Sequence, residues 1–148
     1  MKLDDALSGV TQLGLDTSPI IYYIEAHPAY DALVTRIFQL IANGSLVGVT
    51  STITLTETLV QPYLHGDTQL QQQYRDLLLR SDNFQVLPIT SGAAERAAEL
   101  RARYALRTPD ALQVAVALAS GCEAFLTNDS KLRRITDLRV LVLDELEL

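Results

Sequence analysis

Short runs of apolar and β-branched residues recur along the chain in a pattern typical of the strands of a sheet. Five runs are predicted as strands, at residues 12–15, 46–50, 84–89, 124–127 and 140–143. The intervals carry apolar residues at three- and four-residue spacing, which is typical of amphipathic helices. One helical pattern covers residues 30–41, and another covers residues 70–78 after Asp67, which suits a helix N-cap.

Two further helices are predicted in the second half of the chain. The first begins at Thr90 or Ser91, and its inward positions are expected to be Ala94, Ala97, Ala98 and Leu100. The second has clear ends, with Thr108 as N-cap, Pro109 as first helical residue and Gly121 as the left-handed residue after its end. Its body is nearly all apolar, apart from Asp110 and Gln113, so this helix is expected to be buried.

The alternation of strands and helices predicts an α/β fold, with a five-stranded parallel sheet in a three-layer α/β/α sandwich. Residues 1–148 contain no linker and no internal repeat, so one domain is expected. The only cysteine, Cys122, cannot form an internal disulfide bond and is expected to pack as a small apolar residue. No apolar stretch is long enough to cross a membrane, and the first residues are acidic, so we expect a cytoplasmic protein with no membrane partner.

The charges are unevenly distributed along the chain. The net charge of −6 argues against holding free nucleic acid by bulk electrostatics, yet ten of the twelve Lys and Arg residues lie from Arg75 onward. Four of these follow or precede acids discussed below and are candidate substrate-binding residues, namely Arg107, Lys131, Arg133 and Arg134. The alternative is that they belong to solvated helix surfaces.

Four acids stand at positions where a surface charge is not expected. Asp16 and Asp129 follow the first and fourth predicted strands, Asp110 opens the apolar helix, and Glu57 is the only charge in the helical stretch after the second strand. Because ligands of parallel α/β sheets bind beyond the carboxyl ends of strands, we expect all four to point into one crevice. Taken singly, each Asp could be an ordinary helix cap, whereas Glu57 has apolar neighbours among which an unpaired carboxylate would be costly to bury.

Such a crevice needs neutralisation, because two carboxylates about 4 Å apart repel by roughly 4 kcal/mol. Either some of the acids keep their protons or a divalent cation binds among them. A site of oxygen ligands without Cys or His favours Mg²⁺ or Mn²⁺, and Mg²⁺ typically recruits substrate phosphates. With a bound cation, the crevice is suited to hydrolysis of a phosphodiester bond.

The residues around these acids form four motifs. They are Leu15-Asp16-Thr17-Ser18 followed by Ile20-Ile21-Tyr22-Tyr23-Ile24-Glu25, then Thr56-Glu57, Thr108-Pro109-Asp110-Ala111-Leu112, and Leu126-Thr127-Asn128-Asp129. Together they resemble the PIN-domain ribonucleases, and most closely the VapC-type toxins of bacterial toxin-antitoxin pairs. The resemblance extends over nearly the whole chain, with the motifs in the family's order and spacing.

The resemblance implies an endoribonuclease that uses one or two Mg²⁺ or Mn²⁺ ions. It also implies frequent homodimers and, for the toxins, inhibition by a small antitoxin protein whose peptide occupies the cleft. By position, Asp16, Asp110 and Asp129 would be metal ligands, and Glu57 would hold a second metal or orient water. The supporting residues would be Thr17, Thr127 and Asn128.

The chain departs from many relatives after the last acid. Leu132 stands where an aromatic residue is common, and Ser130 and Lys131 stand near the place of a further acid, so the number of ions is left open. Two other interpretations fit the same residues, namely a catalytically silent PIN-fold module that binds RNA or protein, and a stand-alone RNA-processing nuclease. Tyr22 or Tyr23 could stack on a base, or else pack in the core or at a dimer contact. No motif indicates a role for residues 1–12.

Overall fold

A computed structural model describes all residues from 1 to 148. Its strands are β1 (Gln12–Leu15), β2 (Val47–Ser51), β3 (Phe84–Leu87), β4 (Ala124–Thr127) and β5 (Arg139–Val142). All pair in parallel in one sheet of order β3-β2-β1-β4-β5, which confirms the predicted α/β architecture. The third strand ends at Leu87 rather than at residue 89, since Pro88 follows and has no backbone N–H to donate.

Helices cover both faces of this sheet. They are α1 (Leu3–Ala6), α2 (Thr17–Ile24), α3 (Asp31–Ala42), α4 (Thr52–Leu64), α5 (Thr68–Arg80), α6 (Ser91–Tyr104) and α7 (Thr108–Ala119), with 3₁₀ helices at Ser130–Arg134 and Leu143–Glu145. Leu13 and Leu15 of β1 pack in a core with α1, α3 and α5, whereas Phe125 of β4 packs in a second core with α6 and α7. Successive strand residues face opposite sides, which produces the two cores.

The strand order places a crevice at one edge of the sheet. The chain runs outward from β1 to β2 and β3, then returns to β4 on the other side of β1. The strand order therefore reverses between β1 and β4, and ligand sites of open α/β sheets typically lie beyond the carboxyl ends of the strands at such a point. Leu15 pairs with Leu126, so Asp16 and Thr127 follow at the same level of the sheet.

Helix α7 is buried as predicted and lies close to the central strand. A Cβ atom at Gly14 would stand 2.8 Å from the Ala117 Cβ and 2.9 Å from the Phe125 ring, so only glycine allows this approach. Gly121 ends the helix with a φ of 85°, as expected. The predicted N-cap was one residue late, because Arg107 holds the N-cap position and Thr108 is the first helical residue.

The inward face of α6 differs from the predicted one. The Thr90 hydroxyl caps this helix by accepting from the Ala93 backbone N–H at 3.1 Å. Its buried residues are Ala93, Ala97 and Leu100, whereas Ala94 and Ala98 are exposed. The expectation for Ala94 and Ala98 was wrong because a run of alanines gives no contrast from which to read the phase of the helix.

Residues 1–12 have a structural role that no motif indicated. The Leu3 backbone N–H donates to the Glu147 carbonyl at 2.8 Å, which ties the start of the chain to its end. Four side chains of this segment join the hydrophobic core, namely Leu3, Ala6, Leu7 and Val10. Cys122 is buried and free, as expected. No helix of the protein combines the length and the apolar character that crossing a membrane requires.

Candidate functional site

Asp16 follows β1 and caps α2. Its Oδ1 accepts from the Thr17 backbone N–H at 2.9 Å, and its Oδ2 accepts from the Thr127 hydroxyl at 2.8 Å. Burial raises the pKa of Asp16 from 3.8 to about 6; the hydrogen bonds from Thr127 and Thr17 oppose the rise, while the charges of Asp110 and Glu57 add to it. Asp16 is therefore a partly buried carboxyl group in the field of two other acids.

Glu57 reaches the same place from α4, where its Oε1 accepts from the Thr17 hydroxyl at 2.6 Å. Glu57 does not lie buried among its apolar sequence neighbours, because its side chain lies on the exposed part of the helix. Helix α4 instead turns Thr54, Thr58 and Pro62 inward. The Glu57 carboxylate therefore loses little of its hydration when the protein folds. Its hydrogen bond to Thr17 links it to the residue beside Asp16.

A buried polar network lies beneath these two acids and was missed in the sequence. Gln113 of α7 donates from Nε2 to the Thr54 hydroxyl at 2.7 Å and to the Thr17 hydroxyl at 3.3 Å. Its Oε1 accepts from the Ser51 hydroxyl. Gln113 therefore connects α7, α4 and α2 under the site, and its one signal in the sequence was a polar residue in an otherwise apolar helix.

Asp110 lies in the first turn of α7 and is only 9% exposed. Arg107, one turn earlier, forms an ion pair with it, from Nε to Oδ2 at 3.1 Å. The Arg107 side chain is 77% exposed, so the guanidinium reaches inward from the rim. Asp110 has a cationic partner from its own chain, whereas Asp16 has none.

Asp129 and Asn128 follow β4 on the other side of Asp16. The Asp129 backbone N–H donates to the Thr127 hydroxyl at 3.0 Å. The Asp129 side chain accepts from the Lys131 backbone N–H through Oδ1, also at 3.0 Å. The Asn128 amide donates to the Tyr22 hydroxyl at 3.4 Å. Thr127 therefore contacts the two strand-end acids at once and is fully buried between them.

The four predicted acids line one open cleft of about 330 Å³. Its other lining residues are Thr17, Ser18, Ile21, Tyr22, Arg107 and Asn128. Of the predicted supporting residues, Thr17 and Asn128 lie in the cleft wall, and Thr127 lies behind it. Four elements distant in sequence thus meet at the carboxyl edge of the sheet, as the positions of the acids predicted.

The four candidate basic residues have different surroundings. Arg107, Lys131 and Arg134 line an adjoining cavity of about 300 Å³, which shares Asp110 and Asp129 with the cleft. Arg134 donates to the Tyr104 carbonyl at 2.8 Å, which fixes its position. Arg133 lines neither cavity and forms an ion pair with Glu145. Three of the four cations therefore lie along one side of the acids.

The donor set fits a hard divalent cation in an open site. All candidate ligands are carboxylate oxygens, and Asp16 accepts hydrogen bonds from Thr17 and Thr127 but forms no ion pair with a basic side chain. No three His, Cys, Asp or Glu side chains are grouped tightly enough to hold an ion by themselves. An ion in this cleft would therefore keep several water ligands, which is the usual behaviour of Mg²⁺.

Comparison with protein families gives one match over most of the chain. A family model described as the PIN domain matches residues 14–138. This range includes all four acids, the second half of β1, and the strands β2, β3 and β4. Among proteins of curated function, none matches the chain at a significant level.

Solved structures with the same fold include several toxin-antitoxin proteins. One is VapBC2 from Rickettsia felis bound to a promoter DNA fragment, with a TM-score of 0.72, 21% identity, and coverage of 89% of this chain and 98% of that chain. A toxin-antitoxin complex from Klebsiella pneumoniae gives a TM-score of 0.70, 22% identity, and coverage of 90% and 98%. VapC20 from Mycobacterium tuberculosis, described as a Sarcin-Ricin loop cleaving toxin, gives a TM-score of 0.66 and 19% identity, with coverage of 87% of this chain and 99% of that chain.

Proposed function

Because the chain belongs to the PIN domain family, we propose that it is an endoribonuclease that hydrolyses RNA phosphodiester bonds with Mg²⁺ or Mn²⁺. The observation that carries this proposal is the meeting of Asp16, Glu57, Asp110 and Asp129 in one cleft. These acids come from four separate elements, so ordinary capping of each helix does not account for their convergence. The intact acid set argues against a catalytically silent module.

The residues of the cleft have distinct proposed roles. Asp16, Asp110 and Asp129 would hold the metal directly or through water, and Glu57 would hold a second ion or orient the attacking water. A bound divalent cation lowers the pKa of its water and neutralises charge on the phosphoryl oxygens. Thr17 and Thr127 fix the carboxylates of Glu57 and Asp16 by hydrogen bonds, so that few rotamers are open to them.

Arg107, Lys131 and Arg134 are proposed to bind RNA phosphates beside the acids. Their cavity adjoins the cleft, so a strand whose scissile phosphate lies over the carboxylates can place its next phosphates against these cations. The Arg107 side chain is 77% exposed, so a phosphate can reach its guanidinium from solvent. Exchange of its Asp110 contact for a phosphate would also free Asp110 for a metal.

The biological role that we propose is that of a toxin held inactive by a small antitoxin protein. The support is the fold shared with proteins described as toxin-antitoxin complexes and as an RNA-cleaving toxin. We propose a homodimer as the state in which the protein acts, and light scattering of the purified chain tests it. A neighbouring gene for a small DNA-binding protein would support the toxin role, and its absence would favour a stand-alone RNA-processing nuclease.

A cleavage assay on single-stranded RNA tests the proposed activity. We expect cleavage with Mg²⁺ or Mn²⁺, no cleavage with EDTA, and products with 5′-phosphate and 3′-hydroxyl ends. Asp16→Asn and Asp110→Asn should abolish cleavage, whereas Asp76→Asn, which changes an exposed Asp of α5, should not. Equal cleavage by wild type and Asp16→Asn under the same ions would refute the assignment.

A further inference from the structure

We propose that three rings beside the cleft form a stacking platform for an unpaired RNA base next to the scissile phosphate. The rings belong to Tyr22, His27 and Tyr30, which are called the aromatic cluster below. The inference rests on the proposed ribonuclease function and adds to it a residue that contacts a base of the bound strand. Tyr22 is the member that would contact the base, because it alone of the three lines the cleft.

The aromatic cluster is compact and presents Tyr22 to the site. The Tyr22 and Tyr30 rings stack with centroids 4.8 Å apart and planes at 18°, and His27 packs against both at 4.6 and 4.9 Å. All three side chains are only partly buried. Tyr22 thus stacks on Tyr30 and at the same time lines the cleft, where a partly exposed aromatic ring can contact a base.

Tyr23, the next residue of α2, differs from Tyr22 in what its ring contacts. Tyr23 stacks on Phe38 with ring centroids 4.1 Å apart and planes at 15°, and it does not line the cleft. The same residue type one position along α2 therefore has a packing role away from the acids. Tyr23 supplies a matched control for any substitution of Tyr22.

Hydrogen bonds tie the aromatic cluster to the acid-bearing strand end. Asn128 donates to the Tyr22 hydroxyl at 3.4 Å and accepts from the Asp144 backbone N–H at 3.1 Å. The Tyr30 hydroxyl donates to the Asp144 carboxylate. Since Asn128 directly precedes Asp129, the position of the Tyr22 ring is fixed relative to an acid of the cleft.

The platform and the cations lie at different parts of the cleft wall. Arg107 belongs both to the cleft and to the basic cavity, whereas Tyr22 belongs to the cleft and not to that cavity. A strand with its phosphates along the cations and one phosphate over the acids can therefore set a base on Tyr22. Bases inside a duplex are already stacked and paired, so this contact favours single strands and loops.

Steady-state cleavage of single-stranded RNA with Mn²⁺ tests the platform in the full chain. Tyr22→Leu should raise KM about tenfold or more, the loss expected for one stacked base, with a much smaller change in kcat. Tyr22→Phe should restore the wild-type KM because the ring is kept. Tyr23→Leu should leave KM unchanged, and thermal melting will show whether each variant is folded.

A fluorescence measurement gives a second readout that does not depend on cleavage. A short single-stranded RNA that carries 2-aminopurine should be quenched on binding to Asp16→Asn, and the quench should be lost when Tyr22→Leu is added. The chain contains no Trp, so the base analogue can be observed without interference. If cleavage depends on Asp16 but wild type and Tyr22→Leu have the same KM, the platform is wrong and the ribonuclease proposal remains. If the wild type cleaves no RNA, the ribonuclease proposal itself is wrong.

Discussion

The Thr127 hydroxyl of β4 donates a 2.8 Å hydrogen bond to the Asp16 carboxylate at the end of the neighbouring strand. This contact holds the central acid of the cleft in one orientation and lowers its pKa, against the larger upward effect of burial. The same hydroxyl accepts from the Asp129 backbone N–H at 3.0 Å. A single buried threonine therefore sets the relative position of the two acids that follow β1 and β4.

Replacement of Asp16 by Asn should make the metal-free protein more stable at neutral pH. The rise in the pKa of Asp16 from 3.8 to about 6 corresponds to about 3 kcal/mol spent on keeping the buried carboxylate charged. Asn removes this cost but weakens one of two hydrogen bonds, so a net gain of about 1–2 kcal/mol is expected. Urea denaturation in EDTA measures it, with Asp76→Asn as the control that should show little change.

The upward direction of the pKa shift of Asp16 also predicts how the stability gain of Asp16→Asn depends on pH. Because the folded-state pKa is raised, the contribution of Asp16 to folding is complete below pH 3.8 and is lost as the pH rises through about 6. The stability gain of Asp16→Asn over wild type should therefore grow across that interval and level off above it. A gain that is constant with pH would mean that burial does not penalise this carboxylate.

Gln113 should be essential for the geometry of the site although it touches no substrate. Gln113→Leu removes the donor to Thr54 and Thr17 and the acceptor for Ser51, so we expect a loss of about 2–4 kcal/mol in the free energy of unfolding. Gln73→Leu on the exposed side of α5 is the matched control and should change stability by less than about 0.5 kcal/mol. Thermal melting of both variants decides whether the buried network holds these elements together.

Gly14→Ala should destabilise the strand that carries Asp16. The added methyl group would lie 2.8 Å from the Ala117 Cβ, so α7 or β1 must shift, at a cost of about 1–3 kcal/mol. Gly92→Ala at the start of α6 meets no atom closer than 3.8 Å and should leave stability unchanged or raise it by up to about 1 kcal/mol. If Gly14→Ala has the same melting temperature as wild type, α7 does not pack on β1 as closely as the structure shows.

Arg107→Ala should weaken RNA binding without a change in melting temperature. Asp110 is largely buried, but the Arg107 side chain is 77% exposed, so solvent around the guanidinium screens the ion pair and the pair contributes little to folding. Loss of one phosphate contact should reduce the slope of log affinity against log salt by about 0.7. Arg80→Ala, which breaks an exposed ion pair on α5, is the control, and an identical salt slope for wild type and Arg107→Ala would exclude a phosphate contact.

Much of the architecture follows from local patterns in the sequence. Apolar, β-branched runs predicted all five strands, and helical spacing predicted the helices between them. The acids at strand ends predicted a shared crevice, because parallel strands bring their carboxyl ends to one edge of the sheet. The acid positions depend on where each element ends, which Gly, Pro and capping residues mark in the sequence.

The remaining features depend on contacts between distant residues. The exposure of Glu57, the hydrogen bonds of Gln113 and the packing of residues 1–12 against the chain end are set by neighbours far away in sequence. Tyr22 and Tyr23 are identical in local sequence terms, and only the rotation of α2 against α3 places one at the cleft and the other against Phe38. The alanines of α6 gave the wrong inward face for a similar reason.

Calorimetric titration with Mn²⁺ tests most directly whether the four acids act as one metal site. Wild type should bind Mn²⁺ with a measurable heat, whereas Asp16→Asn and Asp110→Asn should lose most of it and Asp76→Asn should retain it. Equal heats for all four proteins, or no heat from wild type, would contradict the account.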